Sequence, residues 1–168
     1  MKVTILIPAF NEEKNIAHTI KGLENYRDTF CQKNQLDLGI IVIDDGSKDK
    51  TGKKAIDAGV EVIQLKQNKG KGNALREGLK KADGDIIVFL DADLRDSSEE
   101  AYKLVTPILN GEADVTIARF KPPGKKKGLG FVKALAYHGV KFFTGHGTTS
   151  ALSGQRAMGQ EVFTHIGA

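Results

Sequence analysis

A run of apolar residues from Ile86 to Leu90, followed directly by Asp91-Ala92-Asp93, places the strongest constraint on the fold of this chain. An unbroken apolar run rich in β-branched residues predicts a strand buried on both faces of a parallel sheet. Ligands of open α/β sheets bind just beyond the carboxyl ends of the strands, so we expect Asp91 and Asp93 at the mouth of a crevice. Two carboxylates there suit a hard divalent cation. The alternative, that one aspartate caps a helix and the other is solvated, stays open.

Further segments repeat the pattern of short apolar runs separated by helical periodicity. Strands are predicted over residues 3–7, 38–43, 60–65, 85–90 and 114–118. Pro8 is expected to end the first strand, and Asn11 to Asn15 supply residues typical of a helix start. Residues 97–100 (Ser-Ser-Glu-Glu) predict a capping box before another helix. This alternation predicts right-handed βαβ units in an α/β, Rossmann-like, mostly parallel sheet flanked by helices.

Composition excludes several classes of function. The chain has 168 residues, which fits one domain, with residues 1–120 forming the βαβ region and residues 121–168 an added loop and helix. A net charge of +4 is too weak to indicate a nucleic-acid partner. The single cysteine, Cys31, excludes an internal disulfide framework, and we expect it to be a packed or surface residue. Without a signal peptide or an apolar stretch of about 20 residues, a soluble cytoplasmic protein without a transmembrane segment is expected.

A basic loop is predicted directly after the strand at residues 114–118. Residues 119–130 (Arg-Phe-Lys-Pro-Pro-Gly-Lys-Lys-Lys-Gly-Leu-Gly) contain two prolines, three glycines and four lysines. A solvated charge run is one interpretation. The position after the carboxyl end of a strand favours the other, contact with an anionic substrate. Residues 131–143 predict a helix.

Two common phosphate-binding motifs do not fit the sequence. Gly46 and Gly52 miss the spacing of a P-loop, and Gly70-Lys71-Gly72 lacks the third glycine of a dinucleotide-binding turn. What remains is a set of carboxylates at the ends of two strands, with a Lys/Gly turn between them in sequence. Carboxylates accept hydrogen bonds from a base edge or ribose, a metal neutralises a pyrophosphate, and Lys71 adds a positive charge.

Four segments in a fixed order resemble the family 2 nucleotide-sugar glycosyltransferases, which have a GT-A fold. The segments are residues 7–13 (Ile-Pro-Ala-Phe-Asn-Glu-Glu), 42–47 (Val-Ile-Asp-Asp-Gly-Ser), 68–74 (Asn-Lys-Gly-Lys-Gly-Asn-Ala) and 89–94 (Phe-Leu-Asp-Ala-Asp-Leu). Each segment alone is weak, whereas their order and spacing together are highly specific.

The resemblance implies a nucleotide-sugar donor site and a Mg²⁺ or Mn²⁺ ion. The implied donor-binding residues are Pro8, Ala9, Phe10, Glu12, Asp44, Asp45, Ser47, Lys71, Asp91, Ala92 and Asp93. Within this set, Pro8, Ala9 and Glu12 are expected on the uridine or ribose side. Asp44 and Ser47 are expected at the base and ribose, and Lys71 at the base or diphosphate. Asp91 is expected at the ribose, and Asp93, with Asp91 beside it, as the metal ligand.

Beyond residue 119 the likeness narrows to two groups with different acceptors. Residues 121–124 and 152–157 are similar in layout to glucosyl-3-phosphoglycerate synthases, which implies UDP-glucose as the donor and a phosphorylated small molecule as the acceptor. The implied acceptor-binding residues are Lys125, Lys126, Lys127, Gly128 and Gly130. The synthases carry an arginine and a threonine where this chain has Gly-Leu-Gly-Phe at residues 128–131. Polyprenyl-phosphate sugar transferases share the donor motifs equally well.

Several alternatives stay open at this point. A nucleotidyltransferase uses a similar sheet, but it is expected to carry a Gly-rich basic loop where this chain has residues 8–11 (Pro-Ala-Phe-Asn). Members of the resembled family continue past Ala168, so a C-terminally incomplete chain that binds the donor without turnover is a further interpretation. We assign no catalytic base, although Asp114, His138 and His146 are candidates. A homodimer is compatible with the sequence.

Overall fold

The computed structural model describes residues 1–119 and 154–166, whose strands form one sheet. The strands are β1 (Lys2–Ala9), β2 (Asp37–Asp44), β3 (Glu61–Gln64), β4 (Ile86–Phe89), β5 (Val115–Ile117) and β6 (Arg156–Gly159). The α-helices are α1 (Ile16–Tyr26), α2 (Thr51–Asp57), α3 (Lys71–Leu79), α4 (Tyr102–Leu109) and α5 (Gln160–Ile166). A π-helical turn (Arg27–Cys31) extends α1, and a 3₁₀ segment (Arg95–Ala101) leads into α4.

The sheet is mostly parallel, with the strand order β3-β2-β1-β4-β6-β5. β1 pairs in parallel with β2 on one side and with β4 on the other, and β2 pairs in parallel with β3. β6 lies antiparallel to both β4 and β5, so β5 runs in the same direction as β4. The predicted mostly parallel sheet of alternating strands and helices is confirmed, with β6 as a reversed strand within it.

Helices cover both faces of the sheet because its central strands are apolar on both sides. Val3, Ile5 and Ile7 of β1 project to one face, where they belong to a core shared with α1, α2 and α4. Leu6 projects to the other face, into a core shared with α3 and α5. Successive side chains of a strand alternate between faces, so one apolar run supplies both cores. Burying each large apolar side chain stabilises the fold by about 1.5–3 kcal/mol.

The prediction that Pro8 ends the first strand was wrong, because β1 continues to Ala9. Pro8 pairs with Ile43 in the β1–β2 register, whereas the pairing of β1 with β4 stops at Leu6. The Leu6 carbonyl accepts a hydrogen bond from the Leu90 N–H at 3.1 Å, so Leu6 directs its backbone groups toward β4. Two residues later, Pro8 faces the same side, beyond the end of that pairing. A proline there removes no ladder hydrogen bond.

The predicted capping box at residues 97–100 was also wrong. These residues lie inside the 3₁₀ segment, and α4 begins later, at Tyr102, without a side-chain cap. The buried hydroxyl of Ser98 donates to the carbonyl oxygens of Thr19 and Arg95, both at 2.7 Å. Ser98 therefore joins this segment to α1. The helix start predicted at residues 11–15 falls at Ile16, and the Asn15 side chain makes no capping hydrogen bond.

β6 and α5 were not predicted, since the sequence indicated only a loop and the helix at residues 131–143 in this part of the chain. β6 is short, but Ala157 and Met158 are buried and pair with β4 and β5. Val162 and Phe163 of α5 pack against the core on the α3 side of the sheet. A four-residue strand next to glycine gives too little periodicity to be recognised from sequence. The helix predicted over residues 131–143 lies outside the described residues.

Cys31 lies in the core at the end of the π-helical turn. It is buried, and burial raises the pKa of its thiol above the ordinary value. A raised pKa lowers the thiolate fraction at neutral pH, which fits a packed residue rather than a nucleophile. Across residues 1–119 and 154–166, no helix combines the length and apolar character needed to cross a membrane.

Candidate functional site

Three neighbouring strands deliver the predicted site residues to one edge of the sheet. β1, β2 and β4 run in parallel, so the segments that follow Pro8, Ile43 and Phe89 emerge on the same side. The Asp45 N–H donates to the Ala9 carbonyl at 2.9 Å, which joins the ends of β1 and β2 directly. Such an edge of a doubly wound sheet is where ligands bind.

The turn after β1 is fastened to the loop after β2 through Asn11. Its N–H donates to the Ser47 hydroxyl at 2.9 Å, and its side-chain oxygen accepts from the Lys48 N–H at 2.9 Å. Asn11 has a φ of 55°, a left-handed conformation that asparagine tolerates better than most residues. The Glu12 N–H donates to the Thr51 hydroxyl at 2.8 Å. Phe10, next to this fastened turn, keeps its side chain 41% exposed at the edge.

Asp44 ends β2 in a buried position. One of its carboxylate oxygens accepts a hydrogen bond from the Ser47 N–H at 3.0 Å. The other lies against the first turn of α2, since a Cβ on Gly52 would be only 2.5 Å from it. Asp44 is 7% exposed, so protein contacts surround most of this carboxylate. Its expected contact with a base stays a prediction.

Asp45, which was predicted as a donor-binding residue, supports the neighbouring turn. Its carboxylate accepts the Gly70 N–H at 2.8 Å and the Lys69 N–H at 3.1 Å, and the residue is 3% exposed. Gly46 has a φ of +72° and packs against the backbone of Gln67 and Asn68. This contact between Asp45 and the turn that leads into α3 was not predicted. Two adjacent residues of one motif thus act on different parts of the site.

Lys71 and Asp91 form an ion pair that connects the first residue of α3 to the loop after β4. The two side chains are 46% and 34% exposed, so the pair lies at the surface of the edge. Gly154, two residues before β6, faces both partners. A Cβ on this glycine would lie 2.7 and 2.9 Å from the two Asp91 carboxylate oxygens. Gly154 was not predicted as a site residue.

Asp93 is the exposed member of the Asp91-Ala92-Asp93 segment. The buried Ala92 between the two aspartates is fixed by its carbonyl, which accepts the Thr19 hydroxyl at 2.8 Å. The Arg95 N–H donates to the same hydroxyl at 2.8 Å. Within the described ranges, the Asp93 carboxylate has no hydrogen-bond or ion-pair partner. The loop is therefore held firmly while it presents one unpaired carboxylate.

The carboxylates at this edge fit a hard divalent cation. In the part of the chain that the structure describes, no three His, Cys, Asp or Glu side chains come together as a metal site. Mg²⁺ usually keeps several waters and takes one or two carboxylates together with substrate phosphates. Asp93, unpaired and exposed, matches such a ligand. Asp91 is two residues away, but its carboxylate is paired with Lys71.

Other candidates from the sequence do not meet at this edge. Asp114 precedes β5, and its carbonyl accepts the Gly159 N–H at 3.1 Å. Gly159 pairs with Ile86, the first residue of β4, so Asp114 lies toward the opposite edge of the sheet from Asp91. The expected acceptor residues and the two histidines lie outside the described residues; they are Lys125, Lys126, Lys127, Gly128, Gly130, His138 and His146.

The fold and this edge can now be compared with known proteins. The model of the family described as glycosyl transferase family 2 matches residues 4–166, which is nearly the whole chain. The chain belongs to glycosyl transferase family 2. This confirms the family to which the four sequence segments pointed.

Similar sequences include two sugar transferases whose names refer to dolichol phosphate. The chain is 34% identical over 145 residues to a dolichol-phosphate mannosyltransferase of Pyrococcus furiosus, covering 83% of this chain and 39% of that protein. It is 32% identical over 180 residues to a UDP-N-acetylglucosamine–dolichyl-phosphate N-acetylglucosaminyltransferase of Methanococcus voltae, covering 92% of this chain and 68% of the relative. The chain thus spans only part of the length of each relative.

Among solved structures, the chain resembles glucosyl-3-phosphoglycerate synthase from Mycobacterium tuberculosis. The TM-score is 0.78 at 29% identity, and the match covers 97% of this chain but 57% of the synthase chain. That crystal structure is a complex with Mn²⁺, UDP and phosphoglyceric acid. The likeness confirms the predicted GT-A type of fold for this family 2 chain.

Proposed function

We propose that this family 2 glycosyltransferase transfers a hexose from a nucleoside-diphosphate sugar, UDP-glucose in the first place, to a phosphate-bearing acceptor with the help of Mg²⁺ or Mn²⁺. The observation that supports this most directly is the exposed Asp93 carboxylate, which has no partner among residues 1–119 and 154–166 and lies two residues from the Lys71–Asp91 pair. The synthase that resembles this chain was crystallised with Mn²⁺ and UDP.

The arrangement suits departure of a nucleoside diphosphate. As the bond between sugar and diphosphate breaks, negative charge develops on the leaving oxygens. A divalent cation, when bound, supplies Lewis-acid stabilisation of that charge. Asp93 would hold the cation with a carboxylate oxygen. The Lys71 ammonium offsets the charge of Asp91, so this second carboxylate repels the diphosphate less. The Asp44–Ser47 loop and the Ala9–Glu12 turn, joined through Asn11, are the firm surface on which we expect the nucleoside to lie.

Two acceptor classes are supported by different likenesses. The structural likeness to the synthase favours a small phosphorylated acid such as phosphoglycerate. The sequence relatives named for dolichol phosphate favour a polyprenyl phosphate instead. Both acceptors bear a phosphate, so the shared chemistry is transfer of a sugar to a molecule with an anionic group. We place the small phosphorylated acceptor first and keep the polyprenyl phosphate as the alternative.

Donor binding tests the first part of the proposal. Isothermal titration calorimetry of the 168-residue chain with UDP-glucose, UDP-N-acetylglucosamine and GDP-mannose, each with Mn²⁺ or with EDTA, should give metal-dependent binding of at least one donor. Asp93→Asn should weaken that binding by about tenfold or more, because it removes an anionic metal ligand. Asp57→Asn is the matched control, since it makes the same charge change at an exposed residue paired with Lys53 on α2. Equal binding by wild type and both variants would show that Asp93 holds no metal.

Release of UDP tests transfer and separates the competing functions. Assays with 3-phosphoglycerate and with a short polyprenyl phosphate, run side by side, identify the acceptor class. Production of pyrophosphate from UTP and a sugar phosphate would instead indicate a nucleotidyltransferase. Tight donor binding without UDP release to either acceptor would indicate a donor-binding module without turnover.

A further inference from the structure

Gly154 lies where β6, α3 and the loop after β4 come together. Its Cα faces the Lys71–Asp91 ion pair, so a Cβ would lie 2.7 and 2.9 Å from the Asp91 oxygens and would also overlap the Lys71 ammonium. Real Cβ atoms essentially never approach other heavy atoms this closely. Any residue other than glycine at this position therefore displaces one or both partners of the pair.

We propose that Gly154 is a positioning residue for donor binding, because its missing side chain lets the Lys71–Asp91 pair form beside Asp93. The inference rests on the proposed function, since it concerns the same donor site. It adds a residue from the segment just before β6, whereas the other residues of this site follow the ends of β1, β2 and β4 or begin α3.

The backbone around Gly154 cannot easily retreat from the pair. The next residue, Gln155, accepts a hydrogen bond from the Ala118 N–H at 2.9 Å through its carbonyl. From Arg156 onward, β6 is paired on both sides, with β4 and with β5. An added Cβ would consequently push the two side chains and leave the strand in place.

The displaced atoms are the ends of partly exposed side chains, so the cost to the fold is small. Lys71 is long and flexible, and an ion pair at the surface contributes little to stability. The consequence falls on Asp91, because Ala92 next to it is held by Thr19 and the loop cannot follow. The expected result is a defect in donor binding without a defect in folding.

The test compares variants of two glycines, Gly154 just before β6 and Gly159 at its end. Gly154→Ala should weaken Mn²⁺-dependent binding of the donor by about tenfold or more, the scale of losing one charged contact. Gly159→Ala is the control, because its Cβ would lie at an ordinary 3.9 Å from Ile108 Cγ2. The control should bind like wild type, and urea unfolding should place all three proteins at nearly the same midpoint.

A double-mutant cycle with Lys71→Ala asks whether Gly154 acts through the pair. Once the ion pair is absent, Asp91 is free to move, so adding Gly154→Ala should change donor affinity by less than about twofold. An equal loss in both backgrounds would overturn the inference, and so would unchanged binding by Gly154→Ala. If wild type bound no nucleotide sugar at all, the proposed function would fall together with the inference, whereas the other two outcomes refute the inference alone.

Discussion

Replacing Asp45 by alanine tests whether this residue supports the turn before α3. In wild type its carboxylate accepts hydrogen bonds from the Gly70 N–H at 2.8 Å and the Lys69 N–H at 3.1 Å. Asp45 itself is 3% exposed. The turn that it holds ends at Gly70, whose φ of +88° precedes the first helical residue, Lys71. Loss of the carboxylate should therefore both destabilise the fold and loosen Lys71.

The size of the effect follows from the two hydrogen bonds. A hydrogen bond to a charged group contributes about 1.5–3 kcal/mol, so two of them set an upper bound of about 6 kcal/mol. Lys69 is exposed and Gly70 is half-buried, so water can hydrogen-bond to the freed N–H groups. These new hydrogen bonds offset much of the lost free energy of folding. We expect a loss of about 2 kcal/mol for Asp45→Ala. Asp45→Asn should lower the unfolding free energy by about 1 kcal/mol. Its amide has only one acceptor oxygen, and its NH2 group would face the second backbone N–H, which needs an acceptor.

Urea unfolding followed by circular dichroism measures this directly. With a slope of about 2 kcal/mol per molar urea, Asp45→Ala should lower the unfolding midpoint by about 1 M. Asp57→Ala is the control, since Asp57 pairs with Lys53 at the surface of α2 and its loss should cost less than about 0.5 kcal/mol. A midpoint for Asp45→Ala equal to that of wild type would refute the structural role, as would an equally large shift in the control.

Two further predictions concern the elements that flank the site. Burial favours the neutral form of Asp49, but hydrogen bonds from Thr51 and from the Glu13 N–H outweigh it and lower the pKa of this carboxyl below 3.8. The charged Asp49 carboxylate therefore stabilises the fold above about pH 4, and this effect is lost as the pH falls through its lowered folded pKa. The difference in unfolding free energy between wild type and Asp49→Asn should be constant above about pH 5 and shrink below about pH 4. A pH-independent difference would contradict this. Gly78→Ala should destabilise the fold, because a Cβ would lie 2.8 and 3.1 Å from two Ile43 side-chain carbons, and overpacking of about 1–3 kcal/mol exceeds the gain in helix propensity of about 1 kcal/mol. Gly72→Ala on the same helix meets nothing within 4 Å and should be neutral or slightly stabilising in the same urea experiment.

The strands and the position of the site could be predicted because they depend on long apolar runs. Ile86 to Leu90 is apolar without interruption, and its short length and β-branched residues favour a strand covered on both faces. The ends of such strands in a parallel sheet meet at one edge, so Asp44 and Asp91 could be placed together without coordinates. The prediction for Pro8 failed because a proline disrupts a strand only where a neighbouring strand would accept a hydrogen bond from its N–H. Which side of β1 that position faces depends on the whole sheet and is not visible in the local sequence.

The roles of single residues at the edge could not be predicted, because contacts distant in sequence set them. Asp45 reaches the Lys69–Gly70 backbone across 24 and 25 positions, and nothing local distinguishes it from Asp44. Gly154 lies far along the chain from both Lys71 and Asp91, so its close approach to their ion pair leaves no pattern in the sequence. Ser98 likewise fits the local pattern of a helix cap. Its hydroxyl instead donates to the Thr19 carbonyl, a contact that arises only when this segment packs against α1.

Four aspartates lie at the strand ends, and their contacts determine which of them carries an uncompensated negative charge. Like charges gathered at one edge repel one another unless each is compensated. Asp44 is compensated by the Ser47 N–H, Asp45 by two backbone N–H groups, and Asp91 by the Lys71 ammonium. Within the described residues Asp93 has no such partner, and it is also the exposed one of the four. A cation that binds at this edge could therefore take Asp93 as a ligand without breaking any contact among the described residues. Binding to any of the other three carboxylates would first break an existing hydrogen bond or ion pair. That difference, more than the presence of the aspartates as such, is the physical reason why we propose Asp93 as the metal ligand.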